Sequence, residues 1–102
     1  MIHVIATIQT VPGKRADLLA EFHRIVPLVR AEVGCIEYGP AVDVDSGIEG
    51  LPAVRGDVVT VVERWENVAA LKAHLVAAHM LRYREAVKTI VAAVDIRVLE
   101  PA

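Results

Sequence analysis

The chain contains little cysteine and few aromatic residues. Cys35 is its only cysteine, so no disulfide can form within the chain, and such usage is typical of a reducing compartment. We therefore expect a cytoplasmic protein. The net charge is −2, aromatic residues make up 4% of the chain, and Lys and Arg form no stripe, so nucleic acid is not an expected partner.

Segments that mark several other protein classes are also missing. No apolar run is long enough to span a membrane, and the first strand pattern begins at Ile2, which leaves no room for a signal peptide. The chain has no glycine-rich phosphate loop and no serine nucleophile elbow. We therefore expect no membrane association, and nothing supports nucleotide chemistry or serine-based hydrolysis.

Small apolar side chains are what the chain has in excess. Apolar residues make up 55% of its 102 residues, chiefly Ala and Val. This length fits a single domain spanning residues 1–102. A domain of this size buries only about 60–65% of its unfolded surface, so an apolar excess indicates burial against a partner chain. We therefore expect a homodimer.

The hydrophobic pattern predicts the order strand, helix, strand, strand, helix, strand. Two βαβ units in this order form the split, ferredoxin-like α+β fold, with an antiparallel sheet covered by helices on one face. The second helical region divides into two stretches, the first capped by Asn67. The predicted strands are 2–10, 35–44, 57–66 and 93–99, and the helices are 14–33, 68–75 and 79–92.

The first helix carries one apolar stripe at three- and four-residue steps. Pro27 lies inside this helix and predicts a kink, and Gly34 occupies the place of a glycine that ends a helix. Residues 45–56 have no clean periodicity and are predicted as a long loop, a length often associated with function. The stripe consists of Leu18, Phe22, Ile25, Val29 and Val33.

Glu63 and Trp65 alternate on the side of the third strand that we expect to face the core. A carboxylate there requires a partner, and a helix histidine or Tyr38 on the neighbouring strand could supply it. Trp65 by itself is more often a core residue than part of a ligand site, but beside a buried polar group it could line an aromatic-binding cavity. Cys35 is interpreted as a packing residue.

His74 has two interpretations of equal weight. Beside Leu71 and Leu75 it could point between helix and sheet as a functional group, or it could be a half-buried histidine that bonds to backbone. His79 follows five residues later, a step of roughly 140° on a straight helix. A helix break could bring the two histidines together, but helical metal pairs are usually three or four residues apart. We therefore expect no metal site.

These residues together resemble the antibiotic biosynthesis monooxygenase superfamily, in its small quinol-monooxygenase-like branch. Three regions in the expected order, spanning nearly the whole domain, carry the resemblance. They are residues 11–14 (Val-Pro-Gly-Lys), residues 32–38 (Glu-Val-Gly-Cys-Ile-Glu-Tyr), and residues 63–66 (Glu-Arg-Trp-Glu) with 70–75 (Ala-Leu-Lys-Ala-His-Leu) and His79.

The resemblance implies a homodimer whose sheets pack into an α+β barrel, with an apolar pocket between sheet and helices in each protomer. It implies oxidation of a quinol or phenolic small molecule by dioxygen, without metal or flavin. His74 is then the expected base or donor, Tyr38 and His79 orient the substrate, and Trp65 forms a wall. We expect Glu63 to converge with Tyr38, Trp65 and His74 on this pocket as a substrate-binding residue.

Two alternatives share this fold. A dimer of the same architecture could bind a small ligand or serve a structural role without catalysis. Haem-degrading relatives use an Asn, Trp and His set that is not found here, because Trp65 lies on a strand rather than in the helix. The long loop at 45–56 also lengthens the usual short connection and could shape a different pocket.

Overall fold

The computed structural model describes all 102 residues and contains four strands and three helices. All strand pairs are antiparallel and the sheet order is β2-β3-β1-β4. This is the ferredoxin-like α+β fold, which confirms the predicted fold class. No helix has the length and apolarity needed to cross a bilayer. The elements are β1 Ile2–Thr10, α1 Arg15–Arg30, β2 Cys35–Ala41, β3 Val58–Trp65, α2 Val68–Leu75, α3 Ala78–Val87 and β4 Val91–Leu99.

The core lies between the helices and one face of the sheet. Alternate residues of β1, beginning at Ile2, are buried as its two-residue period predicts. From α1, Leu18, Phe22 and Val29 are almost fully buried against this face. The alternation of β3 buries Val59, Val61, Glu63 and Trp65 on the same side, so the carboxylate of Glu63 does face the core as predicted.

The first helix ends earlier than its apolar stripe predicts. Helix α1 stops at Arg30, where the Glu32 amide donates to the Val29 carbonyl at 2.9 Å and tightens the chain into a turn. Val33 therefore leaves the stripe and is 90% exposed, which corrects its predicted core position. Gly34 follows in the left-handed region, with φ of +83°. Glu32 consequently lies in the connection between α1 and β2 rather than inside a helix.

The last helix is also shorter than predicted. Helix α3 ends at Val87 and β4 begins at Val91, two residues before the predicted strand. The spacing of Ile90 and Val91 after Val87 imitates a helical period, but the Ile90 carbonyl accepts a hydrogen bond from the Val11 amide at 2.8 Å. Pairing with β1 therefore takes these residues out of the helix, and the prediction of helix to residue 92 was wrong.

The predicted division of the second helical region is confirmed. Asn67 caps α2 by accepting a hydrogen bond from the Ala70 amide at 2.9 Å through its side chain. Helix α2 ends at Leu75 and α3 starts at Ala78, so the chain changes direction between them. This break decides how the two histidines on either side of it can meet.

The connection between β2 and β3 is long, as predicted, and β2 ends at Ala41 rather than at residue 44. An ion pair closes its base: Arg55 Nε donates to Asp43 Oδ2 at 2.9 Å and Arg55 Nη2 donates to Asp43 Oδ1 at 3.0 Å. The Arg55 amide also donates to the Asp43 carboxylate, at 2.9 Å. This fork holds the two ends of the loop together.

Candidate functional site

A cavity of about 330 Å³ lies between the helices and the covered face of the sheet. Twelve of its 16 lining residues are hydrophobic. Its volume is at the small end of the range for small-molecule sites, which is about 300–1,000 Å³. The other four lining residues are Glu63, His74, Arg84 and Lys88, and two of the twelve, Tyr38 and Tyr83, carry a hydroxyl group.

Two adjacent strands bring Tyr38 and Glu63 into this cavity. Tyr38 of β2 is directly opposite Glu63 of β3, and both side chains point toward the core. The partner of Glu63 is Trp65, whose Nε1–H donates to Glu63 Oε1 at 2.9 Å. Residues two apart on a strand share a face, which permits this bond. The predicted partners, a helix histidine or Tyr38, are therefore replaced by Trp65.

The surroundings of Glu63 change its acidity. Burial of the carboxyl group and, more weakly, the negative charge of Glu32 raise its pKa, whereas the hydrogen bond from Trp65 lowers it. The net result is a pKa of about 7. Near neutral pH a substantial fraction of Glu63 is protonated, and it can then donate a hydrogen bond to a ligand in the cavity.

His74 is held between helix and sheet. Its side chain is 2% exposed, and its ring centroid lies 4.7 Å from that of Trp65 and 5.4 Å from that of Tyr38. His74 Nδ1 lies 2.8 Å from Glu32 Oε2. Of the two interpretations, the inward one agrees with this placement, and the partner is a carboxylate rather than backbone.

The state of the His74 ring follows from these contacts. Burial lowers the pKa of His74, although the hydrogen bond that its ring donates to Glu32 and the negative charge of Glu32 act in the opposite direction. The neutral ring donates Nδ1–H to Glu32, because a carboxylate can only accept. Its Nε2 then carries the lone pair and has no partner within the chain, while the ring lines the cavity. A free basic nitrogen of this kind can accept a proton from a bound molecule.

The other two predicted site residues lie outside the cavity lining. Trp65 is fully buried and contacts Glu63 and His74 rather than forming a wall. His79 Nε2 lies 2.9 Å from Glu32 Oε2, the oxygen that also contacts His74. Tyr38, Glu63 and His74 are therefore brought together in the cavity. Trp65 contacts two of these residues directly, and His79 contacts Glu32, which holds His74.

Sequence reasoning missed two kinds of residue. Glu32 was placed within the predicted helix, although it belongs to a segment that carries the family resemblance. Arg84 on α3 and Lys88, which directly follows α3, are both exposed, and only the structure shows that they line the cavity. The Arg84 guanidinium donates to the Leu75 carbonyl, which ties it to the end of α2. The Arg84 charge favours a ligand that carries negative charge, whereas Lys88 Nζ is already paired with Glu85 Oε1 at 2.6 Å.

Comparisons with known proteins identify the family of the chain and agree with its fold. The sequence model of the antibiotic biosynthesis monooxygenase family matches residues 1–86. The chain is 43% identical to the "Probable quinol monooxygenase YgiN" of Escherichia coli strain K12 over 103 aligned residues, covering 99% of this chain and 98% of that protein. The YgiN protein of Shigella flexneri has the same identity and coverage.

Solved structures show the same architecture. PA3566 from Pseudomonas aeruginosa has a TM-score of 0.83 at 28% identity, covering 99% of this chain and 93% of that one. A putative antibiotic biosynthesis monooxygenase from Nitrosomonas europaea has a TM-score of 0.84 at 15% identity, with 99% and 98% covered, and shows the fold alone. The family model and the similarity to YgiN, which spans nearly the whole chain, establish that the chain belongs to the antibiotic biosynthesis monooxygenase family.

Proposed function

We propose that this protein is a cofactor-independent monooxygenase that oxidises a quinol or related phenolic molecule with dioxygen. The observation that carries the proposal is the placement of His74. It is a buried neutral imidazole whose Nδ1 is held by Glu32, while Nε2 remains free where the ring lines an apolar cavity. Family membership and the name of the YgiN relatives support the reaction class.

The substrate class follows from the lining of the cavity. Its apolar walls favour an aromatic molecule, and its volume of about 330 Å³ suits a small one. Protonated Glu63 and the phenol of Tyr38, whose pKa burial raises, can bond to ring oxygens. Arg84 stabilises the anion that forms when the substrate hydroxyl loses its proton.

His74 begins the reaction as a general base. Its Nε2 takes a hydroxyl proton from the quinol, and the resulting electron-rich anion reduces dioxygen and bonds to it at a ring carbon. Cleavage of the O–O bond leaves one oxygen atom in a hydroxyquinone, and the other leaves as water. The quinol supplies all the electrons, so quinol plus dioxygen balances hydroxyquinone plus water. Glu32 positions the imidazole and stabilises its protonated form.

We further propose that residues 1–102 form one domain that works in the cytoplasm as a homodimer through its sheet faces. On the sheet face that no helix covers, Ile5 of β1 is directly opposite Val62 of β3, and Val62 and Leu99 are 36% and 48% exposed. Packing this face against the same face of a second copy would bury these apolar side chains. On the helix-covered side of β4, Val94 and Ile96 line the cavity and are 53% and 52% exposed, so the cavity opens beside this edge strand.

Oxygen consumption with a reduced naphthoquinone tests this proposal. We expect the wild-type protein to consume oxygen faster than the spontaneous oxidation, and His74→Ala to lose about 10²–10⁴-fold of the rate, as removal of a general base does. Glu32→Gln keeps a side-chain acceptor but removes its charge, so we expect kcat to fall while KM changes little.

His23→Ala is the matched control, because His23 is an exposed histidine on α1. It should match the wild type, and circular dichroism should show that all three variants are folded. If wild-type protein gives no oxygen uptake above background with a panel of quinols and anthrones, the catalytic proposal is wrong. A Soret shift on haem titration would instead support a haem-binding protein.

A further inference from the structure

Three metal-ligating side chains meet beside the cavity. Glu32 comes from the turn after α1, His74 from α2 and His79 from α3, and one ligand atom of each lies within 4.8 Å of the others. Both ring nitrogens approach the same carboxylate oxygen, with His74 Nδ1 at 2.8 Å and His79 Nε2 at 2.9 Å from Glu32 Oε2. The two ring nitrogens therefore converge on the carboxylate oxygen, and the three donors form one compact cluster.

The helix break makes this convergence possible. On a straight helix a five-residue step turns the second side chain by roughly 140°, which was the reason to expect no metal site. Because α2 ends at Leu75 and α3 begins at Ala78, His74 and His79 belong to different helices and that objection no longer applies. Glu32 is 42 residues away from His74 in sequence and adds the carboxylate that local spacing could not reveal.

We propose that Glu32, His74 and His79 form a binding site for one divalent ion of the zinc class. Two imidazoles and one carboxylate, with water in the fourth position, are a typical tetrahedral donor set for Zn²⁺. With metal–ligand distances of about 2.0–2.2 Å, tetrahedral donors lie about 3.3 Å apart. The two contacts of 2.8–2.9 Å then need to open by about half an ångström, and the two ring nitrogens, which lie within 4.8 Å of each other, need to close to the same spacing.

The site is accessible from solvent. The side chains of Glu32 and His79 are 15% and 16% exposed, so an ion can reach them without passing through the cavity. His74 closes the inner side of the site, because its ring lies between Glu32 and the cavity that it lines. The ion therefore binds behind the imidazole and does not enter the substrate space.

Ion binding would also change the nitrogen of His74 that faces the cavity from a hydrogen-bond acceptor to a donor. In the free protein, Nδ1 carries the hydrogen and donates it to Glu32, so Nε2 is an acceptor. When the ion takes the Nδ1 lone pair, the hydrogen must reside on Nε2, and the neutral ring presents a donor to the cavity. The proton is conserved, since it moves from one nitrogen to the other through solvent. This consequence rests on the proposed function: the bound ion is a reversible inhibitor, because His74 can then no longer act as the general base.

Calorimetric titration with Zn²⁺ alone tests the site independently of turnover. We expect one ion per chain for the wild type, and at least a tenfold weaker affinity for His79→Ala and for Glu32→Gln. His23→Ala is the control, because it removes an exposed histidine that could bind zinc by itself outside the proposed site. We expect its zinc affinity to match that of the wild type. Equal affinity for His79→Ala and the wild type, or no binding by the wild type, would overturn the proposal.

Nitrogen-15 NMR of the histidine rings tests the reversal directly. We expect the His74 hydrogen to move from Nδ1 in the free protein to Nε2 when Zn²⁺ is added, and to stay on Nδ1 in His79→Ala at the same zinc concentration. A His74 ring that keeps its hydrogen on Nδ1 in zinc-saturated protein contradicts the proposal. Both readouts require only folded protein, so a failure to find oxygenase activity leaves them unaffected, and failure to bind zinc leaves the oxygenase proposal intact.

Discussion

Replacing Glu63 by glutamine should change how the stability of the protein depends on pH. The carboxyl group is buried, its pKa is about 7, and its Oε1 accepts the hydrogen bond from Trp65 at 2.9 Å. A glutamine side chain has the same shape and keeps an oxygen acceptor for Trp65, but it cannot ionise. Glu63→Gln therefore removes the titration while largely preserving the packing.

The sign of the effect follows from the two pKa values. The ordinary pKa of a glutamate is 4.5, whereas that of Glu63 in the folded chain is about 7. Between these values the folded state holds one more proton than the unfolded state, so the free energy of unfolding falls as the pH rises. The stabilisation from Glu63 is fully present below pH 4.5 and is lost as the pH passes about 7. The pKa difference corresponds to roughly 3 kcal/mol.

Urea denaturation at pH 5, 6, 7 and 8 measures this change. Trp65, the only tryptophan, is fully buried and reports unfolding by fluorescence. Between pH 5 and pH 8 the free energy of unfolding of Glu63→Gln should rise by about 2.5 kcal/mol relative to that of the wild type. Glu49→Gln is the matched control on the exposed loop, and its profile should parallel the wild type. Protein concentration is kept constant because the proposed dimerisation would contribute to stability. Parallel profiles for Glu63→Gln and the wild type would refute the reasoning.

Two further substitutions test the surroundings of the site. Trp65→Phe removes the donor that lowers the pKa of Glu63, so this pKa should rise above about 7. In denaturation followed by circular dichroism, the fall in stability with pH should therefore move to higher pH. An unchanged pH midpoint of this fall would contradict the prediction. Gly34→Ala should cost at least ~2 kcal/mol in urea denaturation, because φ is +83° and the new Cβ would lie 2.6 Å from Ala70 Cβ. Gly13→Ala is the control for backbone strain alone, because Gly13 has φ of +80° and its new Cβ would have no atom within 4 Å. If both substitutions lower the free energy of unfolding equally, the close contact at Gly34 contributes nothing.

Sequence patterns predicted most of the fold because strand alternation and helix capping depend on neighbouring residues. The alternation of β1 follows from the pleat of a strand, and the Asn67 cap follows from the free amides at the start of α2. The ends of α1 and α3 were misplaced because Val33 and Ile90 continue an apolar spacing that the backbone does not follow. Turn formation near Gly34 and pairing of Val91 with β1 decide those ends.

The site was predictable to the extent that its residues share a strand face or a helix stripe. Strand alternation placed Glu63 on the core side, and the apolar stripe placed His74 close to the sheet. Glu32 contributes through a contact across 42 positions of sequence, which no periodicity encodes. Arg84 lies on an exposed part of α3, where a charged residue ordinarily needs no functional explanation. Three-dimensional contacts alone connect these two residues with the cavity.

Turnover of a reduced naphthoquinone under ¹⁸O₂, followed by mass spectrometry of the product, tests the central claim most directly. The account predicts a hydroxyquinone containing one ¹⁸O atom, with the second atom released as water, and a strong loss of this product in His74→Ala but not in His23→Ala. Formation of the unlabelled quinone alone, at a rate that His74→Ala leaves unchanged, would contradict the account and indicate a protein that binds such molecules without oxygenating them.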